Sequence, residues 1–199
     1  MSVRRLHDQQ PASFAFTAEN KARVDDRIAK YPPGRQASVV ISALWIGQEQ
    51  EGWVTKPMIE EVASLLDMPY VRVLEVATFY TMFRLAPAGE HVVQVCTTTP
   101  CWLRGSDDVV KACKKHIHEH QHAVSADGKF SWEEVECLGA CVNAPMMLID
   151  KDTYEDLDGV KTGEIIEALR RGEKPKTGSQ IGRVSSEPVG GATTLKEKV

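Results

Sequence analysis

Several features that would place the chain in common functional classes are missing from its 199 residues. No apolar run approaches the roughly 18 residues that a membrane-spanning helix needs, so we expect no direct membrane insertion. There is no G-x-G-x-x-G loop and no Walker motif, so nothing indicates that the chain binds a nucleotide or a flavin by itself. The formal net charge of −4 offers no basic face for phosphate contacts, which argues against nucleic-acid binding.

The beginning of the sequence also lacks the marks of export or organelle targeting. The run from Met1 to Leu6 contains two arginines but no apolar stretch behind them, so we expect no secretory signal. Acidic residues appear from Asp8 onward, which argues against a transit peptide. The five cysteines are therefore expected to be reduced thiols, and clustered reduced cysteines indicate a metal site rather than disulfides.

The apolar pattern predicts an α+β protein of two domains, an N-terminal helical bundle and an α/β domain. Residues 1–16 look irregular, and four short amphipathic helices follow, so that residues 1–88 form the bundle. The run Pro87-Ala88-Gly89 marks the boundary. The helix ends are indicated by residues that favour caps and breaks: Thr17, Gly52, Pro57 and Pro69.

Residues 89–173 follow a different pattern, which predicts the order strand, helix, strand, strand, strand, helix. Such an order is typical of a compact α/β domain. Ser106 and Thr162 are the expected N-terminal caps of its two helices. In residues 174–199, Pro, Gly, Ser and Thr dominate and no periodicity remains, so we predict an extended tail that orders only against something else.

Two cysteine pairs stand in predicted loops, each just after a predicted strand. Cys96 and Cys101 have the spacing C-x4-C, and Cys137 and Cys141 have the spacing C-x3-C. Loops at strand ends can aim several sulfurs at one point while a rigid sheet holds them. A [2Fe–2S] cluster needs four thiolates, two on each iron, and backbone N–H groups of residues 97–99 and 139–140 are expected to donate to its sulfurs.

Spacing alone leaves two metals open for this site. A zinc site with four cysteine ligands also accepts C-x4-C pairs, so a zinc-stabilised interaction module is the non-redox alternative to an iron–sulfur centre. The fifth cysteine, Cys113, lies on the inner stripe of a predicted helix, where it is expected to be a small core residue rather than a ligand.

Three segments carry a resemblance to a known family: EVATFYTMF at 75–83, VCTTTPC at 95–101 and ECLGACVNAP at 136–145. On these segments the chain resembles the small [2Fe–2S] subunit of respiratory complex I, the NADH-quinone oxidoreductase, and the four cysteines match position by position. The tail, in its run from Gly182 to Gly191, is similar to the C-terminal extension of mitochondrial and related bacterial members. The resemblance favours iron–sulfur over zinc.

The resemblance implies a thioredoxin-like fold for the cluster domain and one [2Fe–2S] cluster on Cys96, Cys101, Cys137 and Cys141. It implies that FMN and the NADH site lie on a partner flavoprotein, and that other peripheral-arm subunits complete a proton-pumping complex that reduces quinone. The chain alone would then not oxidise NADH. It would sit at the cytoplasmic face of a bacterial inner membrane, or on the matrix side if organellar. The equivalent subunits of NAD-linked hydrogenases and formate dehydrogenases share the cysteine motifs and stay an alternative.

Two finer expectations follow. Because thioredoxin-like folds place a cis proline just before the strand that faces their active site, the resemblance predicts a cis Ala144–Pro145 bond. The run from Phe79 to Phe83 is rich in large apolar side chains, and consecutive residues of a helix cannot all face one core. Some are therefore expected to point outward and to dock the flavoprotein, with the tail draped over the same neighbour.

Overall fold

The computed structural model describes residues 4–191 and residue 194. It divides into two compact units, Met1–Ala88 and Gly89–Val199, each with a hydrophobic core of its own. In the described part of the chain, no helix is both long enough and apolar enough to cross a membrane. The end of the predicted tail, including Leu195, lies outside the described residues.

The N-terminal unit is helical, and its helices begin and end at residues with a clear capping role. The Thr17 hydroxyl accepts a hydrogen bond from the Asn20 N–H at 3.2 Å, and Gly52 ends the second helix with a left-handed φ of 82°. Pro57 lies in the first turn of the third. The helices are α1 (Ala18–Ile28), α2 (Val40–Glu51), α3 (Lys56–Leu65) and α4 (Tyr70–Phe79), with a 3-10 turn at Gln36–Val39.

The apolar run from Phe79 to Phe83 is split between core and surface, and it is not the continuous helix that the sequence predicts, because α4 ends at Phe79. Phe83 is fully buried in the core of this unit, whereas Phe79 is 77% exposed. Tyr80 and Met82 are each 38% exposed. The expectation that part of this run points outward is therefore confirmed.

The second unit is a five-stranded mixed sheet with helices. Its sheet order is β2-β1-β3-β4-β5, in which β1 pairs parallel with β2 and antiparallel with β3, β3 pairs antiparallel with β4, and β4 pairs parallel with β5. The elements are β1 (His91–Cys96), α5 (Thr99–Leu103), α6 (Ser106–His116), β2 (Phe130–Val135), β3 (Met146–Ile149), β4 (Asp152–Glu155), α7 (Gly159–Arg170) and β5 (Gly178–Ser179).

One face of the sheet forms the core of this unit. Val93 of β1 lies opposite Trp132 of β2 and Ile149 of β3, so these three buried side chains share one face. The same core includes Val109 of α6 and Ile166 of α7, so both helices cover that face. Alternate residues of the strands therefore point away from α6 and α7, toward the other side of the sheet.

Both predicted helix caps in this unit are wrong by one to four positions. The residue before α6 is Gly105, whose φ of 97° glycine adopts without strain, and Ser106 is already helical. The residue before α7 is Asp158, whose carboxylate accepts the Lys161 N–H at 2.8 Å. Thr162 lies inside the helix and donates its hydroxyl to the Asp158 carbonyl at 2.7 Å. Aspartate is also a favoured N-terminal cap, so the Asp158 carboxylate takes the position that the sequence assigns to Thr162.

The predicted tail is also partly wrong, because its first residues order against the unit itself. Gly178 and Ser179 form β5, paired with Tyr154 and Glu155 of β4. The Ser179 hydroxyl donates to the Asp156 carboxylate at 2.6 Å. A strand of two residues has no periodicity to reveal it, so the sequence pattern could not predict it.

Replacing Gly89 with alanine is expected to destabilise the second unit. A Cβ at Gly89 would lie 2.3 Å from the carbonyl carbon of Phe130 and 2.6 Å from its Cα. This backbone cannot yield easily, because Phe130 pairs with β1, so we expect a loss of roughly 1–3 kcal/mol from overpacking. Gly190→Ala is the matched control, since its added methyl would meet no heavy atom within 4 Å. Equal denaturation midpoints for the two variants would contradict the expectation.

Candidate functional site

The topology of the sheet brings the two cysteine pairs to one edge. Because β1 and β2 are parallel, their carboxyl ends lie side by side, and Cys96 at the end of β1 is paired with Val135 at the end of β2. Cys137 follows two residues later. Since β3 runs antiparallel to β1, it starts at this same edge, immediately after the segment that carries Cys141. The sheet thus brings together the two segments that carry the cysteine pairs, residues 96–101 and 137–141, which we call the ligand segments after their expected role.

The sequence predicts plain loops for both ligand segments, and the structure differs in each. Cys101 lies in the short helix α5, and Cys141 opens a 3-10 turn, Cys141–Asn143. Five helical residues are too few for a periodic signal, and Pro100 is equally compatible with a loop. The turn leads into the Ala144–Pro145 peptide bond, which is cis as predicted.

The first pair is buried, and its thiols affect each other's ionisation. Cys96 and Cys101 are each 1% exposed, and each acts on the pKa of the other. The Cys96 Sγ also lies 3.2 Å from the Thr98 hydroxyl. Ala144 and Met146 complete a small apolar cluster around the pair, which excludes water from this side of the site.

The second pair is exposed, and its sulfurs are close together. The Cys137 Sγ lies 3.4 Å from the Cys141 Sγ, and both residues are exposed. The Gly139 N–H donates to the Cys137 Sγ at 3.4 Å. Gly139 has a φ of 90°, which glycine adopts without strain, so the chain can turn sharply between the two sulfurs.

The thiols influence one another's ionisation. Burial, together with the hydrogen bond to Cys96, raises the pKa of the Cys101 thiol to about 12. For Cys96, burial opposes ionisation, but hydrogen bonds from Thr98 bring the pKa of its thiol below the usual value. The hydrogen bond with Cys137, then burial, raises the pKa of Cys141. Since Cys141 also repels the charge on Cys96 and Cys101, the two pairs lie within each other's electrostatic reach.

The backbone amides around the sulfurs differ in part from the expected set. Thr97 donates its N–H to the Val135 carbonyl at 3.3 Å and is therefore engaged in the extension of the sheet. The N–H of Leu138, from the second ligand segment, interacts with the Cys96 thiol, and the N–H of Met146 interacts with Cys101. These two donors come from elsewhere in the chain, so only the folded sheet could reveal them.

The fifth cysteine is separate from this cluster. Cys113 is fully buried on α6, within the core of the second unit. Burial raises the pKa of its thiol to about 12. Its interpretation as a core residue is confirmed.

Comparison with known proteins identifies the fold that carries this site. A family model described as thioredoxin-like [2Fe–2S] ferredoxin matches residues 24–170. The chain belongs to the thioredoxin-like [2Fe–2S] ferredoxin family. Both ligand segments lie within the matched range, and the two pairs together contain four thiols, the number that a [2Fe–2S] cluster requires.

The similarity of this ferredoxin to curated relatives extends beyond residues 24–170, which the family model matches. One, named as a subunit of NADH-quinone oxidoreductase from Rhizobium meliloti (strain 1021), is 54% identical over 98% of this chain and 73% of its own length. Another, which has the same subunit name and comes from Rickettsia bellii (strain RML369-C), is 52% identical over 79% of this chain and 95% of its own.

Solved structures agree with the ferredoxin at the level of fold. The crystal structure of an NAD⁺-reducing [NiFe]-hydrogenase in the H₂-reduced state superposes with a TM-score of 0.59 and 17% identity. The match covers 69% of this chain but only 23% of the hydrogenase chain, which is therefore much longer than the shared part. At this identity the likeness concerns the fold alone.

Proposed function

We propose that the chain is the [2Fe–2S] electron-transfer subunit of an NADH-quinone oxidoreductase, respiratory complex I. The observation that carries the proposal is the meeting of two thiol pairs at one sheet edge in a member of this ferredoxin family. Cys96, Cys101, Cys137 and Cys141 would hold one cluster. When bound, a [2Fe–2S] cluster accepts and releases one electron at a time.

The family match supports two irons over a single zinc ion. Residues 24–170, which contain all four cysteines, match a model of [2Fe–2S] ferredoxins, whereas the spacing of the two pairs accepts either metal. The four thiols are the number that two irons need, two on each iron.

The difference in burial between the pairs indicates the side from which electrons are exchanged. Cys96 and Cys101 are enclosed by apolar side chains, whereas Cys137 and Cys141 lie at the surface. A partner protein that contacts the exposed pair could place its own redox group closer to the cluster than a partner on the buried side. We therefore infer that electrons enter and leave on the side of Cys137 and Cys141.

The assignment to complex I is supported by relatives that are named as a subunit of NADH-quinone oxidoreductase, one of which aligns with 98% of this chain. In this proposal FMN and NADH bind to a partner flavoprotein, other peripheral-arm subunits complete the complex, and the chain has no NADH-oxidising activity alone. The complex would face the bacterial cytoplasm. The equivalent subunit of an NAD-linked hydrogenase is the second candidate, favoured by the shared fold. The chains that co-purify with this one distinguish the two.

The N-terminal unit would supply a docking surface for the flavoprotein. Phe79 is 77% exposed and makes an edge-to-face contact with Tyr80, with 5.0 Å between ring centroids. We call these two residues and Met82, all of them exposed, the α4 patch. Large aromatic side chains are the usual anchors of protein interfaces. The described tail up to Gly191, by contrast, makes contacts with its own unit.

Purified chain, reconstituted with iron and sulfide, is expected to bind one cluster. Iron and acid-labile sulfide should each approach about two per chain, with a rhombic paramagnetic signal after reduction. The reason is that the chain offers four thiols in two pairs at one end of the sheet. Stoichiometric zinc with no sulfide would instead support the zinc-stabilised interaction module.

A further inference from the structure

The segment 178–188, here called the C-terminal strap, folds back onto the second unit through one arginine. Arg183 pairs with the Asp156 carboxylate through two of its nitrogens, one of them at 3.1 Å. A third nitrogen donates to the Glu187 carbonyl at 3.1 Å. The side chains of Arg183 and Asp156 are only 8% and 3% exposed, so this ion pair is withdrawn from water.

The same arginine also reaches the segment that carries the exposed cysteines. Its Nη2 donates to the carbonyl of Val142, the residue after Cys141, at 3.3 Å. The next residue also contacts the strap, because the side-chain amide of Asn143 donates to the Ser185 carbonyl at 2.9 Å. The two residues after Cys141 are thus each tied to the strap.

These contacts form a closed ring of hydrogen bonds. The Asn143 carbonyl accepts the N–H of Asp156 at 2.7 Å, and Asp156 is the residue that binds Arg183. The ring therefore runs from the ligand turn to the end of β4, to the strap, and back to the ligand turn. Such a ring restrains the turn Cys141–Asn143, in which Cys141 and Val142 are exposed and Asn143 is buried.

We propose that Arg183 is a positioning residue for the cluster, which acts by locking the Cys141 segment in its ligating position through the C-terminal strap. The inference rests on the proposed function, since it assumes that Cys141 is a ligand. Groups that orient metal ligands without touching the metal typically contribute 10- to 100-fold to metal retention. Arg183 has this relation to Cys141, because it binds the carbonyl of the adjoining residue.

The test measures the rate at which cluster-loaded protein loses its visible absorbance to an iron chelator. Arg183→Met is expected to lose the cluster about 10- to 100-fold faster than the natural protein. Its rhombic spectrum should also broaden, and the amide hydrogens of Cys141–Asn143 should exchange faster. Arg183→Lys keeps the charge but cannot bind Asp156 and Val142 together, so we expect an intermediate rate. Arg171→Met, which removes an exposed ion pair with Glu173, is the matched control.

A second variant distinguishes the loss of the Arg183 hydrogen bonds from the effect of leaving the buried Asp156 carboxylate unpaired. Arg183→Met combined with Asp156→Asn removes both charges, and it is expected to lose the cluster as fast as Arg183→Met alone. If the double variant, or Arg183→Met itself, retained the cluster as long as the natural protein, the proposal would be overturned. If the natural protein bound no cluster at all, the proposed function would fail instead.

Discussion

Alanine at Cys96 or Cys141 is expected to abolish the [2Fe–2S] cluster in a chain that still folds. Each substitution removes one of four thiolates, and alanine offers no substitute ligand. Iron and sulfide should then fall from about two each per chain to nearly none, with loss of the visible spectrum. Cys141 is exposed, so its replacement removes little packing, whereas Cys96 is buried and its variant should also lose some stability.

The matched control is Cys113→Ala. Cys113 is as buried as Cys96, so it controls for the loss of a buried sulfur, yet it belongs to the core on α6. This variant should keep a full complement of iron and sulfide, measured on folded protein with an unchanged far-ultraviolet spectrum. A Cys113→Ala protein without its cluster, or a Cys96→Ala protein with a complete one, would refute the ligand assignment.

A single charge in the α4 patch is expected to separate the chain from the proposed flavoprotein partner. Phe79 is 77% exposed, so Phe79→Glu should leave the stability of the helical unit nearly unchanged. If Phe79 anchors the interface, the substitution should cost about 2 kcal/mol or more of binding energy, about thirtyfold in Kd. Co-purification and the affinity for the isolated flavoprotein subunit measure the effect.

Val71→Glu is the control, because Val71 is also an exposed apolar residue of α4, at 54% exposure, and lies outside the patch. Its affinity should match that of the natural chain. The cluster content of both variants should be unaltered, since every candidate ligand lies in the other unit. Unchanged affinity in Phe79→Glu would assign the docking role to the cluster-bearing unit.

The elements with strong periodicity or clear breaks could be predicted from the sequence. Helices α1 to α4 and strands β1 to β4 were expected because they combine apolar patterning with residues such as Thr17 and Gly52 at their ends. The elements that the sequence could not predict, α5 and β5, are five and two residues long. Elements this short are stabilised by tertiary contacts, which leave no local pattern.

For the candidate site too, features that depend on neighbouring residues could be predicted, whereas contacts between residues far apart in sequence could not. The two cysteine pairs could be recognised because each occupies a short stretch of sequence. The metal could not be chosen from spacing and required the motifs around the cysteines. The bond between Arg183 and Asp156 joins residues 27 positions apart, and the interaction of Leu138 with Cys96 crosses two strands. Such contacts depend on the folded sheet.

Both edges of the sheet are partly covered, which limits strand addition by other molecules. Along the outer side of β2, Ser125 and His122 donate their N–H groups to the carbonyls of Phe130 and Trp132, at 2.7 and 2.8 Å. At the opposite edge, β5 pairs with the end of β4 and is itself only two residues long. Long unpaired edge strands favour edge-to-edge aggregation, whereas short or covered edge strands disfavour it. The uncovered backbone at these edges is therefore too short to pair with a long strand of another molecule.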